Sequence, residues 1–167
     1  MTDQPAFAMT PNSNSTADPD LIEAVLTKLA SHWFPGSVCL YAHYTHEQPT
    51  HFNEARFADL GIQLNAAAKM PDVVIHDVKR NWLILIEAVT SAGPVDDKRR
   101  SGLKQLFKGS TAGLVFVTAF ETRKAMQAFL GQISWESEVW IAEAPDHLIH
   151  FNGERFRGPY PDTMLQN

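Results

Sequence analysis

The sequence lacks the features that mark secreted and membrane proteins. It has one cysteine, Cys39, among 167 residues, which excludes an internal disulfide and a cysteine-based zinc cluster. No apolar run reaches the roughly 18 residues that a membrane-spanning helix needs. No Lys or Arg precedes Lys28, which argues against a secretory signal. We therefore expect a cytoplasmic protein with no membrane segment.

Several enzyme motifs and any excess of positive charge are also absent. The sequence contains no G-x-S-x-G, no phosphate-binding loop and no dinucleotide fingerprint. Its net charge is −5, from 14 Lys and Arg against 19 Asp and Glu, which argues against indiscriminate nucleic-acid binding but allows a local basic groove. The composition is that of a globular chain, and we expect a flexible tail over 1–17, one α/β domain over 18–160 and a C-terminal tail over 161–167.

Hydrophobic periodicity predicts alternating helices and strands. A capping Asp18 and Pro19 begin a helix that runs to about His32. A strand over 38–41 and a short helix over 54–60, capped by Asn53 and ended by Gly61, come next. The later elements are two strands over 72–78 and 82–90, a helix opened by Pro94 that runs to about Lys108, a strand over Gly113–Phe120, a helix over 121–132 and a strand over 138–142. This order predicts a mixed sheet with helices on its faces.

The first candidate site is the pair Asp72 and Glu87. If the hairpin is centred between Lys79 and Arg80, these acids stand opposite each other, with Cβ atoms about 4.5–5.5 Å apart. Two carboxylates at that distance can share a divalent cation, and bound Mg²⁺ would offset their repulsion. Two alternatives remain: the strand ends fray and both acids point to water, or the glycine-free turn lets the register slip and separates the pair.

A basic cluster follows the acidic strand. Arg100, Lys104 and Lys108 recur every four residues and form one stripe on the predicted helix, after Lys98 and Arg99. Beside a metal site, such a stripe would hold DNA phosphates, for which Arg99, Arg100 and Lys104 are the candidates. A solvated helix face is the more common meaning of such a run.

The histidines offer a weaker signal. His43, His46 and His51 cluster near one loop, and His147 and His150 are three residues apart. Neither set has a complete ligand shell at a familiar zinc spacing, so ordinary hydrogen-bonded or exposed histidines are favoured. The second Pro-Asp dipeptide, which ends at Asp146, is followed by nothing like Glu87.

The acids and the runs around them resemble a known family. Pro71-Asp72, a hairpin and Glu87-Ala88-Val89 resemble the metal-binding half of the PD-(D/E)xK nuclease fold, whose restriction-endonuclease-like core has the order αβββαβ. The likeness is closer to the BsuBI/PstI type II restriction endonucleases and covers about 36–160. It rests on the runs Met70-Pro71-Asp72-Val73-Val74, Ile86-Glu87-Ala88-Val89-Thr90-Ser91, Gly93-Pro94-Val95, Leu114-Val115-Phe116-Val117-Thr118-Ala119-Phe120, Trp135-Glu136-Ser137-Glu138-Val139-Trp140-Ile141-Ala142 and Pro145-Asp146-His147-Leu148-Ile149-His150-Phe151-Asn152-Gly153.

The resemblance implies Mg²⁺-dependent hydrolysis of phosphodiester bonds in double-stranded DNA. It implies that Asp72 and Glu87 are metal ligands and that the backbone carbonyl of Ala88 is a third, with the metal activating a water and stabilising the developing charge. It also implies a homodimer, with one subunit for each DNA strand.

The sequence departs from the family pattern in two respects. Val89 occupies the position where the fold usually has its lysine, so the amine must come from elsewhere: Lys98 is the first choice and Lys69 the second. Family members usually carry a further N-terminal domain implicated in DNA recognition, whereas only a tail is expected here. A standalone nuclease, a catalytic-domain fragment and a relict are therefore all open.

Two other functions compete with the nuclease. One is a catalytically silent module that keeps the fold and binds DNA or a partner. The other is an unrelated small-molecule α/β enzyme, for which no cofactor motif argues.

Overall fold

A mixed seven-stranded sheet forms the centre of the protein. The computed structural model describes residues 17–43, 50–65, 67–90, 92–151 and 154, and within them the strand order is β2-β1-β3-β4-β5-β6-β7. The strands are β1 Val38–Ala42, β2 His51–Phe52, β3 Val73–Asp77, β4 Trp82–Ala88, β5 Gly113–Phe120, β6 Glu138–Ile141 and β7 Leu148–His150. The helices are α1 Pro19–Ala24, α2 Ala30–Trp33, α3 Glu54–Asp59, α4 Asp97–Leu106 and α5 Arg123–Gln127. Strands β4, β5 and β6 run parallel, and their other neighbours are antiparallel.

The predicted first helix is confirmed. The Asp18 side chain accepts a hydrogen bond from the backbone N–H of Asp20 at 2.8 Å, and Pro19 lies in the first turn, where its missing N–H costs nothing. Helices α1 and α2 are joined by a π-helical segment, Val25–Leu29. The buried side chains of this continuous helix cover one face of the sheet: Leu21, Ile22, Val25 and Leu29.

The β3–β4 hairpin has the predicted register. Val73 pairs with Ile86 and His76 with Leu83, so the alternative of a slipped register is wrong. The connection, residues 78–81, contains no glycine, and Asn81 adopts the left-handed conformation at φ 54°, which asparagine tolerates better than most residues. The register places the odd-numbered β4 residues on one face and the even-numbered ones on the other.

Strand β4 lies at the centre of the sheet and is buried on both faces, as its apolar run predicts. Ile84 and Ile86 pack with the first helix. Leu83 and Leu85 pack on the opposite face with Phe57 of α3 and residues of α4. Glu87 shares this second face, which places it beneath α4.

Several element bounds differ from the prediction. Helix α4 begins three residues after Pro94, because the Asp96 side chain caps it by accepting the backbone N–H of Arg99 at 2.7 Å. The helix predicted over 121–132 is two short pieces, α5 and the 3-10 turn Leu130–Gln132. Strands β2 and β7 have two and three residues, too few for a periodic signal.

The cap and exit of α3 follow the prediction. The Asn53 side chain accepts the backbone N–H of Arg56 at 3.1 Å, and Gly61 ends the helix at φ 80°. A Cβ at Gly61 would lie 2.7 Å from the backbone oxygen of Gly109, so this position needs glycine for two reasons.

The predicted tails lie outside the described residues, except for Ala17, which packs against the core beside the first helix. Within the described part of the chain, no helix is long and apolar enough to span a membrane.

Candidate active site

The hairpin brings Asp72 and Glu87 together. Asp72 directly precedes β3, Glu87 is near the end of β4, and continuing the register of the two strands sets them opposite each other. Their carboxyl groups share a hydrogen bond. The Glu87 side chain is only 13% exposed, so the alternative in which both acids point to water is wrong.

Backbone groups hold Asp72 at both its side chain and its main chain. The N–H of Ala88 donates to Asp72 Oδ2 at 2.8 Å. The N–H of His43 donates to the backbone oxygen of Asp72, also at 2.8 Å, which extends the pairing of β1 and β3 by one residue. The acid therefore occupies a fixed position at the end of a strand rather than a loose loop.

Burial of Glu87 changes its acid–base chemistry. Burial in the apolar sheet raises the pKa of Glu87 to about 8, and the negative charge of Asp72 adds to this rise, while Arg99 opposes it. Burial, with Asp72 and Glu87 adding to it, also raises the pKa of the nearby Tyr41 to about 12. Near neutral pH and without a cation, the Glu87 carboxyl group therefore keeps its proton.

Arg99, not a lysine, is the basic residue that forms an ion pair with Glu87. Its Nε donates to Glu87 Oε1 at 2.5 Å, and its terminal nitrogens donate to the backbone oxygens of Lys69 and Met70, each at 3.0 Å. The sequence predicts that Arg99 binds DNA phosphates and gives no signal for its pairing with Glu87. Three consecutive basic residues cannot be distinguished by sequence, because their contacts depend on how the helix packs.

The two lysines proposed to replace the missing one are both exposed. Lys98 lies in the first turn of α4 beside Arg99, and Lys69 lies in the segment leading to Asp72. Lys98 directly precedes the residue that bonds Glu87, Lys69 lies three residues before Asp72, and neither lysine is buried.

The basic stripe on α4 divides into two kinds of residue. Arg100 forms an ion pair with Glu136, and its guanidinium lies over the Phe116 ring at 5.4 Å. Lys104 and Lys108 are exposed, and Lys104 lines a groove of about 470 Å³ together with Arg100. Of the three candidates for DNA phosphates, only Lys104 lacks a carboxylate partner among the described ion pairs.

The histidines have ordinary partners. The His51 ring bonds the Cys39 backbone oxygen at 2.9 Å, His147 bonds Asp146, and His150 bonds Glu138. His46 lies outside the described residues. Among the residues that the structure does describe, no group of three or more His, Cys, Asp and Glu is placed to hold a metal ion.

The acidic pair nevertheless fits a magnesium ion. Mg²⁺ is commonly bound by one or two carboxylates, with water and phosphate oxygens completing its shell. Asp72 and Glu87 provide carboxyl oxygens on two groups that share a hydrogen bond, and a divalent cation would replace the proton that Glu87 keeps at neutral pH.

Comparisons with known proteins identify a restriction-enzyme family. Residues 8–154 match the family described as the BsuBI/PstI restriction endonuclease domain. The chain is 50% identical over 152 residues to the type II restriction enzyme BsuBI of Bacillus subtilis, covering 91% of this chain and 47% of the relative. It is 41% identical over 86 residues to the type II restriction enzyme AplI of Arthrospira platensis, covering 52% of this chain and 26% of the relative.

A solved structure gives the same answer for the fold. The SdaI restriction endonuclease superimposes with a TM-score of 0.81 at 43% identity, over 87% of this chain and 46% of that chain. The predicted restriction-endonuclease-like α/β fold and the family resemblance are both confirmed. The chain spans less than half the length of the relatives it matches.

Proposed function

The chain belongs to the BsuBI/PstI restriction endonuclease domain family, and from that premise we propose that it hydrolyses phosphodiester bonds in double-stranded DNA with the help of Mg²⁺. The observation that carries the proposal is the pair of hydrogen-bonded carboxyl groups, the half-buried Asp72 and the 13% exposed Glu87, at one end of two central strands. Like charges held together away from water are costly unless a cation neutralises them. Such pairs are found most often at functional sites.

Each residue at the site has a proposed part. Asp72, Glu87 and the backbone oxygen of Ala88 hold the cation, and the amide of Ala88 keeps the Asp72 carboxylate in place. When bound, Mg²⁺ supplies a Lewis acid that activates a water and stabilises charge on the phosphate. Lys98, in the first turn of α4, offers an amine for the charge that develops on the phosphate, and Lys69 is the second candidate.

The proposed substrate and assembly follow from the family. Both curated relatives are described as type II restriction enzymes, so we propose double-stranded DNA as the substrate and a homodimer that places one site at each strand. Three basic residues of α4 are candidates for binding DNA phosphates: Arg99, Arg100 and Lys104. Lys104 is the strongest of them, because it is exposed whereas Arg99 and Arg100 are paired with carboxylates.

Digestion of supercoiled plasmid tests the proposed function. Purified protein with Mg²⁺ is expected to convert the plasmid to linear DNA or discrete fragments, and EDTA is expected to prevent this. Smeared products would mean a nuclease without sequence specificity. DNA binding without any cleavage would contradict the proposal and support the silent module.

In the same assay, Lys98→Met is expected to slow cleavage by about 10²–10⁴-fold, and Lys69→Met is expected to slow it less.

Metal binding is expected to release a proton in a pH-dependent way. In the cation-free protein the pKa of Glu87 is about 8, above its ordinary value of 4.5. The Glu87 carboxyl group therefore stabilises the folded protein below pH 4.5, and this stabilisation is lost as the pH rises through 8. A bound cation competes with the proton on Glu87. Calorimetry at pH 7 in PIPES and in Tris is expected to show release of about 0.9 proton per Mg²⁺.

The proton count has its own control. Release is expected to fall towards zero by pH 9, where Glu87 is already ionised, and Glu87→Gln is expected to release no proton. A count that stays constant from pH 6 to pH 9 would show that Glu87 does not exchange its proton for the metal.

A further inference from the structure

Arg99 contacts Glu87 and the segment that leads to Asp72. Its Nε bonds the Glu87 carboxylate of β4, and its two terminal nitrogens bond the backbone oxygens of Lys69 and Met70. Those two residues lead directly into Pro71 and Asp72. A single planar group on α4, with its side chain 25% exposed, therefore joins the strand of one acid to the segment of the other.

The protein holds one oxygen of each carboxyl group. Arg99 binds Oε1 of Glu87, and the N–H of Ala88 binds Oδ2 of Asp72. Bonds of this kind, made by groups behind the ligands, orient first-sphere ligands and raise metal affinity in many proteins. The arrangement at Glu87 depends on a side chain, whereas that at Asp72 depends on the main chain, so only the former can be removed by substitution.

We propose that Arg99 is a positioning residue for the metal site: it fixes the orientation of Glu87 and the approach of the Asp72 segment, so that the two acids bind a divalent cation. The inference rests on the proposed function, because it takes Asp72 and Glu87 as the metal ligands. It replaces the role in DNA-phosphate binding that the sequence suggested for Arg99.

The bonding pattern requires arginine. A guanidinium presents five N–H donors in a rigid plane, and Arg99 directs donors from all three of its nitrogens at three separate acceptors. A lysine ammonium at the same place keeps the charge but loses the planar fork. Arg99→Lys therefore separates geometry from charge, and Arg99→Met removes both.

Binding of Mn²⁺ to the protein without DNA tests the inference. Electron paramagnetic resonance of free Mn²⁺ is expected to show affinities about 10–100-fold weaker than wild type for both Arg99→Lys and Arg99→Met. If Arg99 acted only as a positive charge that repels the metal, Arg99→Lys would match wild type and Arg99→Met would bind more tightly. Either of those results overturns the inference.

Arg80→Lys is a matched control. Arg80 makes an equivalent contact at the opposite end of the same hairpin, from Nε to Asp77 Oδ2 at 2.5 Å and from a terminal nitrogen to the Trp33 backbone oxygen at 2.6 Å. Its Mn²⁺ affinity is expected to equal that of wild type. A loss as large as that of Arg99→Lys would show a general effect on the hairpin and would overturn the positioning role.

Two further measurements separate the inference from its alternatives. Asp72→Asn is expected to abolish Mn²⁺ binding; if wild type and Asp72→Asn bind Mn²⁺ equally, the proposed metal site fails and the inference fails with it. If Asp72 matters but Arg99→Lys binds like wild type, only the inference fails. The salt dependence of DNA binding by Arg99→Met is expected to keep the wild-type slope. Loss of a phosphate contact would lower that slope by about 0.9, and such a drop would overturn the inference.

Discussion

Asp72→Asn and Glu87→Gln are each expected to lower the rate of Mg²⁺-dependent DNA cleavage by at least about 10²–10³-fold, the range found when one preorganised electrostatic group is removed. Each substitution keeps the shape of the side chain but removes one of two carboxyl groups that contact each other. A divalent cation then loses half of the side-chain ligands available to it at this site. The measurement is the initial rate of plasmid cleavage at saturating DNA.

The loss is expected without loss of the fold. An asparagine oxygen at position 72 can still accept the N–H of Ala88, as Asp72 Oδ2 does at 2.8 Å. The substitution also removes the negative charge that helps to raise the pKa of Glu87. We therefore expect the thermal midpoint of Asp72→Asn without metal at pH 8 to equal or exceed that of wild type.

Asp146→Asn is the matched control for cleavage. Asp146 follows a proline, as Asp72 does, but its carboxylate is exposed and bonds the neighbouring His147. Its cleavage rate is expected to remain at the wild-type level. Wild-type rates in Asp72→Asn and Glu87→Gln, with the fold intact, would place catalysis elsewhere or outside this protein.

Trp140→Ala is expected to lower the free energy of unfolding by about 3–5 kcal/mol. Trp140 is fully buried in β6 and belongs to the cluster between the sheet and the first helix. Its indole N–H donates to the backbone oxygen of Pro145 at 3.0 Å, which also accepts the indole N–H of Trp33 at 3.1 Å. Truncation leaves a cavity the size of an indole ring between the sheet and that helix.

Urea unfolding of the metal-free protein measures this loss. Trp135→Ala is the control, because Trp135 is 70% exposed, and its change is expected to stay within about 0.5 kcal/mol. A loss below about 1 kcal/mol for Trp140→Ala would mean that β6 does not contribute to the cooperative core.

The acidic pair could be predicted because its geometry is local. Alternation along two neighbouring strands and a short connection determine which residues face each other, and the observed pairing of Val73 with Ile86 is the predicted one. The apolar run of β4 likewise determined its central position, since a strand with no polar face must be covered on both sides. The same local rules placed the capped first helix and the strand Gly113–Phe120.

Arg99 could not be predicted, because its role depends on contacts between distant segments. Lys98, Arg99 and Arg100 are equivalent in the sequence, and only the packing of α4 against β4 directs Arg99 towards Glu87 and Arg100 towards Glu136. The late start of α4 has a similar cause. Pro94 is a good first helical residue, yet the backbone oxygen of Val95 accepts the N–H of the distant Ser134 at 2.9 Å and not an N–H of the helix.

By itself, the sequence determined the hairpin, the central strand and the two facing acids, because each follows from the period of one or two adjacent segments. The tertiary structure decided which basic residue pairs with Glu87 and how deeply Glu87 is buried, and so the pKa of Glu87. These properties depend on helix α4 and on the segment 69–70, which meet only in the folded protein. Interactions between distant segments depend on three-dimensional position, and no period along the chain encodes it.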